Sequence, residues 1–156
     1  MSIIDSFDLS TNAILEPSCL AKPIENFPET VIVTFKSEII EELIKNYNAT
    51  IINKLSGGFI IPIYKINYHG KEIAMYQTLI GGAGTAGLLE EVIVKGARKI
   101  LFFGSCGTLD KSLSEGHLIL PTEAYRDEGV SYHYMPESDY VSVKTADKLS
   151  KIFNEL

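Results

Sequence analysis

Apolar residues fall along this chain in two rhythms, and the switches between them mark its elements. Residues 31–35, Val-Ile-Val-Thr-Phe, form a continuous apolar run of strand length. Directly after it, Ile39, Ile40, Leu43, Ile44 and Tyr47 recur at helical spacing, so a helix with one apolar face follows. Ser37 stands where an N-cap is expected, and Glu38, Glu41 and Glu42 occupy the early turns, where carboxylates complement the helix dipole. Residues 49–55 read as a weaker strand, and Gly57-Gly58 as a turn. Two β-rich runs, 60–68 and 71–80, flank His69-Gly70 and predict a hairpin. Pro62 points to the first of these strands lying near a sheet edge.

The helical rhythm returns at Leu88, Leu89, Val92 and Ile93. Thr85 is the expected cap of this helix, Lys95 lies in its last turn and Gly96 is its stop. Residues 100–103 then form a parallel strand that completes a βαβ unit. Residues 118–120 read as a further strand stopped by Pro121, and 125–140 as a long loop rich in Tyr, Glu and Asp. A last helix is expected over 145–156, with Ala146, Leu149, Ile152, Phe153 and Leu156 on one stripe. Residues 1–29, with Pro17, Pro23 and Pro28, show no period and read as an irregular N-terminal arm of a single 1–156 domain.

The richest signal is where two strands end. The run 100–103 stops at Gly104-Ser105-Cys106-Gly107, and the upstream strand opens into Gly81-Gly82-Ala83-Gly84-Thr85-Ala86-Gly87. Open α/β sheets bind ligands at the carboxyl ends of their strands, so the two corners are expected to meet in one shared cradle. Gly82, Gly84 and Gly87 also fit the G-x-G-x-x-G dinucleotide pattern. The acid that should close the next strand is missing, since that strand ends at Gly104-Ser105 and Asp110 comes too late. A plain reading, glycines serving a tight turn and close helix packing, stays open beside the pocket reading.

Composition narrows the function classes. Of 156 residues, 46% are hydrophobic and 22% charged, which suits a globular domain with a real core. The net charge of −6 and the absence of a basic stripe argue against nucleic acid as a partner. No apolar run approaches the ~18 residues of a membrane span, so no membrane is expected. The N-terminus lacks the charge-then-apolar order of a signal peptide. Cys19 and Cys106 make neither a disulfide framework nor a metal spacing, which fits a cytoplasmic protein, and three scattered histidines make no metal site. His69 belongs to a solvated turn and His117 to a strand start, which leaves His133 as the best functional histidine. Arg126-Asp127-Glu128 is either a local network that orders its loop or part of an anion site. Cys106 reads as a small packing residue rather than a nucleophile, with no basic group near it in sequence. Tyr132, Tyr134 and Tyr140 are candidates for a lid or for an oligomer contact.

Three blocks in order carry a family resemblance: residues 81–96, then Gly104-Ser105-Cys106-Gly107, then 116–122 leading into 126–134. In this pattern the chain resembles the nucleoside phosphorylase family, of the purine nucleoside and uridine phosphorylase type. The resemblance implies an α/β fold, a three-layer α/β/α sandwich with a mixed central sheet. It implies cleavage of the N-glycosidic bond of a purine or pyrimidine nucleoside, with inorganic phosphate as the co-substrate and no cofactor. It places Ser105 against phosphate or ribose, Cys106 and Gly107 beside the base, and Gly82 on the ribose-phosphate side. It also implies a homo-oligomer.

The chain departs from the family pattern at its arginines. Phe102 stands two residues before the Gly-Ser-Cys-Gly corner, where phosphorylases usually carry arginine. Thr34-Phe35-Lys36-Ser37 replaces a Gly-Asp-Pro-x-Arg loop, and Phe59 stands where a neighbouring subunit's arginine would align. Phosphate recognition rests on bidentate arginine, so two alternatives follow: a nucleosidase using water, or a nucleoside-binding protein without catalysis. Lys36 and Arg126 are the candidate substitutes, though no motif aligns either. The βαβ rhythm halts after a helix, which reads as the N-terminal portion of a longer domain, with a degenerate member as the alternative.

Overall fold

The computed structural model describes residues 2, 5, 7–10, 12–113 and 116–154. The chain divides into two compact units, Ser10–Ser105 and a second made of Met1–Leu9 with Cys106–Leu156.

The first unit is a mixed sheet of β1 (Thr30–Thr34), β2 (Thr50–Ser56), β3 (Ile60–Tyr68), β4 (Lys71–Gln77) and β5 (Lys99–Phe103). Their spatial order is β2-β3-β4-β1-β5, with β1 parallel to both β4 and β5 and with β2-β3 and β3-β4 antiparallel. Strand alternation divides the core in two. Val31, Val33, Ala74 and Tyr76 pack with Leu88 and Val92 of α3 (Gly82–Lys95). Ile32, Ile73 and Met75 pack with Ile40, Leu43 and Ile44 of α2 (Ser37–Tyr47). Helix, sheet, helix is the three-layer sandwich that the resemblance implies. Val31, Val33, Leu55, Ile63 and Met75 are fully buried, each stabilising the fold by about 1.5–3 kcal/mol.

Several boundaries differ from expectation, each for a local reason. The N-cap of α2 is Lys36, and Ser37 is the first helical residue, its hydroxyl turned to Glu38 instead of capping. β4 ends at Gln77; the Thr78 N–H still donates to the Thr34 carbonyl, and the chain then turns through Gly81 at φ 105°. α3 therefore begins at Gly82, and Thr85 is no cap: its hydroxyl donates to the Leu79 carbonyl at 2.8 Å. Strand β3 is second in the sheet, next to the edge strand β2, so Pro62 lies near an edge as expected. Its ladder with β4 begins only at Tyr64, so at Pro62, opposite Lys54, it is paired to β2 alone. Among the described residues of the N-terminal arm, α1 (Pro17–Leu20) is a short helix that packs on α3.

In the second unit the strand expected over 118–120 does not form. Leu118 and Ile119 are exposed, and pairing starts beyond Pro121, which has no N–H to give a ladder. The strand is β6 (Glu123–Tyr125), antiparallel to β7 (Tyr140–Ser142), with a 3-10 turn at Ser131–His133 between them. The last helix, α4, runs Ala146–Asn154, and the expected positions 155 and 156 lie outside the described residues.

Candidate functional site

Three parallel strands end at one level. Thr34 of β1 is the register partner of Gln77 on one side and of Phe103 on the other. The segments that follow, Phe35-Lys36-Ser37, Thr78 to Gly82 and Gly104-Ser105, therefore leave the same edge of the sheet. The two glycine corners are not neighbours, as expected from sequence, but flank the end of β1. Phe35 fills the space beside Gly104, where an added Cβ would come within 3.2 Å of its ring. Phe35 also stacks on Phe102, with centroids 6.4 Å apart and planes at 29°. The end of β1 and β5 thus presents an aromatic pair, with Lys36, Gly82 and Ser105 exposed around it.

The glycine corner has a packing role of its own. A Cβ on Gly84 would approach the Leu79 Cβ to 2.9 Å, so this glycine lets α3 close on the chain that leaves β4. Ala83, Gly84 and Gly87 line a cavity of about 460 Å³ with Glu90 and Glu91. Below it Glu91 pairs with Lys95 at 3.2 Å and accepts from the Ser56 N–H. Burial, assisted by the Glu91 charge, pushes the Tyr76 phenol well above its ordinary pKa. Thr34 and Thr78 are buried polar residues at the strand ends that the sequence pattern did not single out. Their only signal was a hydroxyl inside or directly after an apolar run.

Cys106, Gly107, Arg126 and His133 belong to the second unit. Cys106, Gly107 and His133 are exposed. Arg126 is 3% exposed, and its guanidinium is bonded within its own loop. Nε donates to the Ser131 hydroxyl at 2.9 Å, and Nη1 to the Pro136 carbonyl at 2.7 Å and the Ser138 hydroxyl at 2.9 Å. Nη2 donates to the Met135 carbonyl, and the guanidinium carbon sits 4.4 Å from the centre of the Tyr132 ring. Glu128 accepts from the Ser131 hydroxyl and from the N–H groups of Val130 and Ser131. These bonds, led by the Ser131 hydroxyl, hold its carboxyl below the ordinary range, with a smaller contribution from the Arg126 charge. Of the two readings of this segment, the network that orders the loop is the one its bonds describe. Among the described residues no group of three His, Cys, Asp or Glu is placed to hold a metal ion, and no helix is long and apolar enough to cross a membrane.

A family model described as the phosphorylase superfamily matches residues 30–155, which include all three strand ends and the Arg126 loop. The chain belongs to the phosphorylase superfamily. Among curated relatives of this superfamily chain, a uridine phosphorylase from Haemophilus influenzae is 29% identical over 86 residues, 55% of this chain and 34% of that protein. A guanosine phosphorylase from Halorubrum lacusprofundi is 30% identical over 92 residues, 57% of this chain and 38% of that protein. The matched stretch thus spans little more than a third of either relative. Among solved structures, a uridine phosphorylase from Vibrio fischeri ES114 superposes with a TM-score of 0.73 at 19% identity, covering 96% of this chain and 61% of that one. A purine nucleoside phosphorylase from Toxoplasma gondii gives 0.69 at 22% identity, over 84% of this chain and 53% of that one. These superpositions establish the shared fold.

Proposed function

We propose that the protein cleaves the N-glycosidic bond of a purine or pyrimidine nucleoside, passing the sugar to phosphate or to water. The observation that carries this reading is the level ending of β1, β4 and β5 in exposed corners bearing Lys36, Gly82 and Ser105, within the segment that the superfamily model matches. Loss of the base leaves an oxocarbenium-like sugar, and a catalyst gains by groups complementary to that charge distribution. In this reading Ser105 offers its hydroxyl to phosphate or ribose, and Cys106 and Gly107 offer backbone beside the base. Gly82, at the positive end of α3, faces the anionic side. Of the two cationic candidates the reading favours Lys36, which is exposed, over Arg126, whose donors are taken up in its loop. His133 serves as a loop contact. The protein needs no cofactor in this reading and works in the cytoplasm as a homo-oligomer.

Within this reading the Phe35–Phe102 pair favours hydrolysis over phosphorolysis. By the family resemblance these stacked rings replace positions where phosphorylases usually carry arginine, and a ring offers no N–H to an oxyanion. The test is base release from purine and pyrimidine nucleosides by the purified protein, with and without phosphate. Release that persists without phosphate is expected. Release only with phosphate reassigns the acceptor, and no release from any nucleoside in either condition overturns the reading.

A further inference from the structure

The end of β1 buries a hydroxyl that packing alone does not call for. Thr34 is fully buried in a run whose other members, Val31, Ile32, Val33 and Phe35, are all apolar. Valine has nearly the same shape and the same preference for a strand, and a buried hydroxyl is unfavourable unless it is hydrogen-bonded. The bond that the Thr34 hydroxyl makes runs forward along the chain: its Oγ1 accepts from the Lys36 N–H at 3.3 Å. Two more bonds tie the same turn to β4. The Thr34 carbonyl accepts from the Thr78 N–H at 2.8 Å, and Gln77 Nε2 donates to the Phe35 carbonyl at 3.4 Å.

Phe35 is therefore held before, at and after its own position, which leaves its backbone few conformations and sends its ring in one direction. That direction is the Gly104 corner. The ring leaves only 3.2 Å for a Cβ at Gly104, and it stacks on Phe102 of β5. We propose that Thr34 is a positioning residue for this corner: its hydroxyl fixes the turn, the turn aims the Phe35 ring, and the ring limits where Gly104 and Ser105 sit. Glycine has the widest choice of backbone conformations, so a corner built on Gly104 gains most from a wall beside it. Thr34 itself is fully buried and touches no substrate; it acts through Phe35. The consequence for catalysis rests on the proposed role of Ser105, whereas the placement of the corner does not. A displacement of about 1 Å in a group that meets substrate is enough to slow a reaction markedly.

The test compares the wild type with T34V, T34S and F35L, by NMR of the labelled protein and by base release. An aromatic ring shifts the resonances of nuclei close to it, so F35L moves those of Gly104. T34V keeps the side-chain shape and moves them in the same direction. In T34V the protection of the Lys36 amide falls about tenfold relative to an unprotected amide at the same pH. Because Lys36 is exposed, its freed N–H turns to water and the sheet stands. T34S retains the hydroxyl and returns both signals toward the wild type. In base release T34V lowers kcat about tenfold while KM stays within about twofold, and T34S recovers the loss. Partial unfolding would instead remove active molecules without moving the Gly104 resonances of the folded ones. Gly104 resonances that T34V leaves in place, or a kcat that it leaves unchanged, overturn the proposal. A wild type that releases no base defeats the proposed reaction alone, and the Gly104 and Lys36 signals then decide for or against Thr34 by themselves.

Discussion

The Arg126 guanidinium donates to two hydroxyls and three carbonyls of the turn that follows it, and the Tyr132 hydroxyl returns a bond to the Arg126 carbonyl at 3.0 Å. One side chain thus fixes the loop from Ser131 to Ser138. Removing it empties the buried place of the guanidinium and cuts part-buried hydrogen bonds, so Arg126→Ala is expected to cost about 3 kcal/mol, read as a lowered denaturation midpoint. Arg126→Lys recovers little of this, because an ammonium cannot reach several fixed acceptors at once. A loss in R126A within error of zero rejects the pinning role. Glu128 adds a pH dependence to the same loop. Its carboxyl is lowered in the folded state, so its contribution is complete above the ordinary carboxylate range and is lost as pH falls through the lowered value. The effect is small, since the group is exposed. Protection of the Val130 and Ser131 amides, whose N–H groups donate to Glu128, should fall on acidification when each exchange rate is compared with that of an unprotected amide at the same pH. Protection there that is flat through the acid range contradicts this. The charged run at 126–128 was visible in the sequence. What it bonds was not, because the partners of Arg126 are hydroxyls and main-chain carbonyls, which leave no pattern.

At the level of elements, periodicity located both long helices and all five strands of the larger sheet, since each has one face against a core. Ends were less legible. Thr85 has the chemistry of a cap and uses its hydroxyl on Leu79 instead, inside a helix that begins at Gly82. The apolar residues 118–120 have strand composition but no partner, and the segment that pairs is the less apolar Glu123–Tyr125. The glycines of α3 separate packing from habit. A Cβ at Gly84 meets the Leu79 Cβ at 2.9 Å, whereas one at Gly87 meets nothing within 4 Å. Gly84→Ala should therefore destabilise by about 1–3 kcal/mol through overpacking. Gly87→Ala, in the same helix, should stabilise by about 0.5–1 kcal/mol through helix propensity. Urea unfolding of the pair checks both signs, and equal shifts in the two variants remove the case for a close approach at Gly84.

Across the whole molecule, the sheet edge where strands open into glycine corners was legible and what stands along it was not. Two glycine corners marked the carboxyl edge of a sheet, but sequence order hid that β1 stands between them and carries Phe35 into the gap. Its consequence is electrostatic. The chain carries a net charge of −6, so an anionic acceptor is repelled overall and depends on whatever cation the strand ends supply. At those ends Lys36 is the exposed cation, set where β1 hands over to α2 and beside the positive N-terminus of that helix. Substituting Lys36 by Met therefore distinguishes the two acceptors. Where phosphate is the acceptor, K36M raises the KM for phosphate about tenfold or more, equivalent to ~1.4 kcal/mol of lost binding, and leaves the fold stable. Where water is the acceptor, K36M leaves base release in phosphate-free buffer within about twofold of wild type, because a neutral nucleophile draws little from a distant charge. The Phe35–Phe102 pair favours the second outcome. A tenfold fall in phosphate-free release on losing this ammonium shows instead that Lys36 acts on the sugar or the base, and takes the anion role away from it.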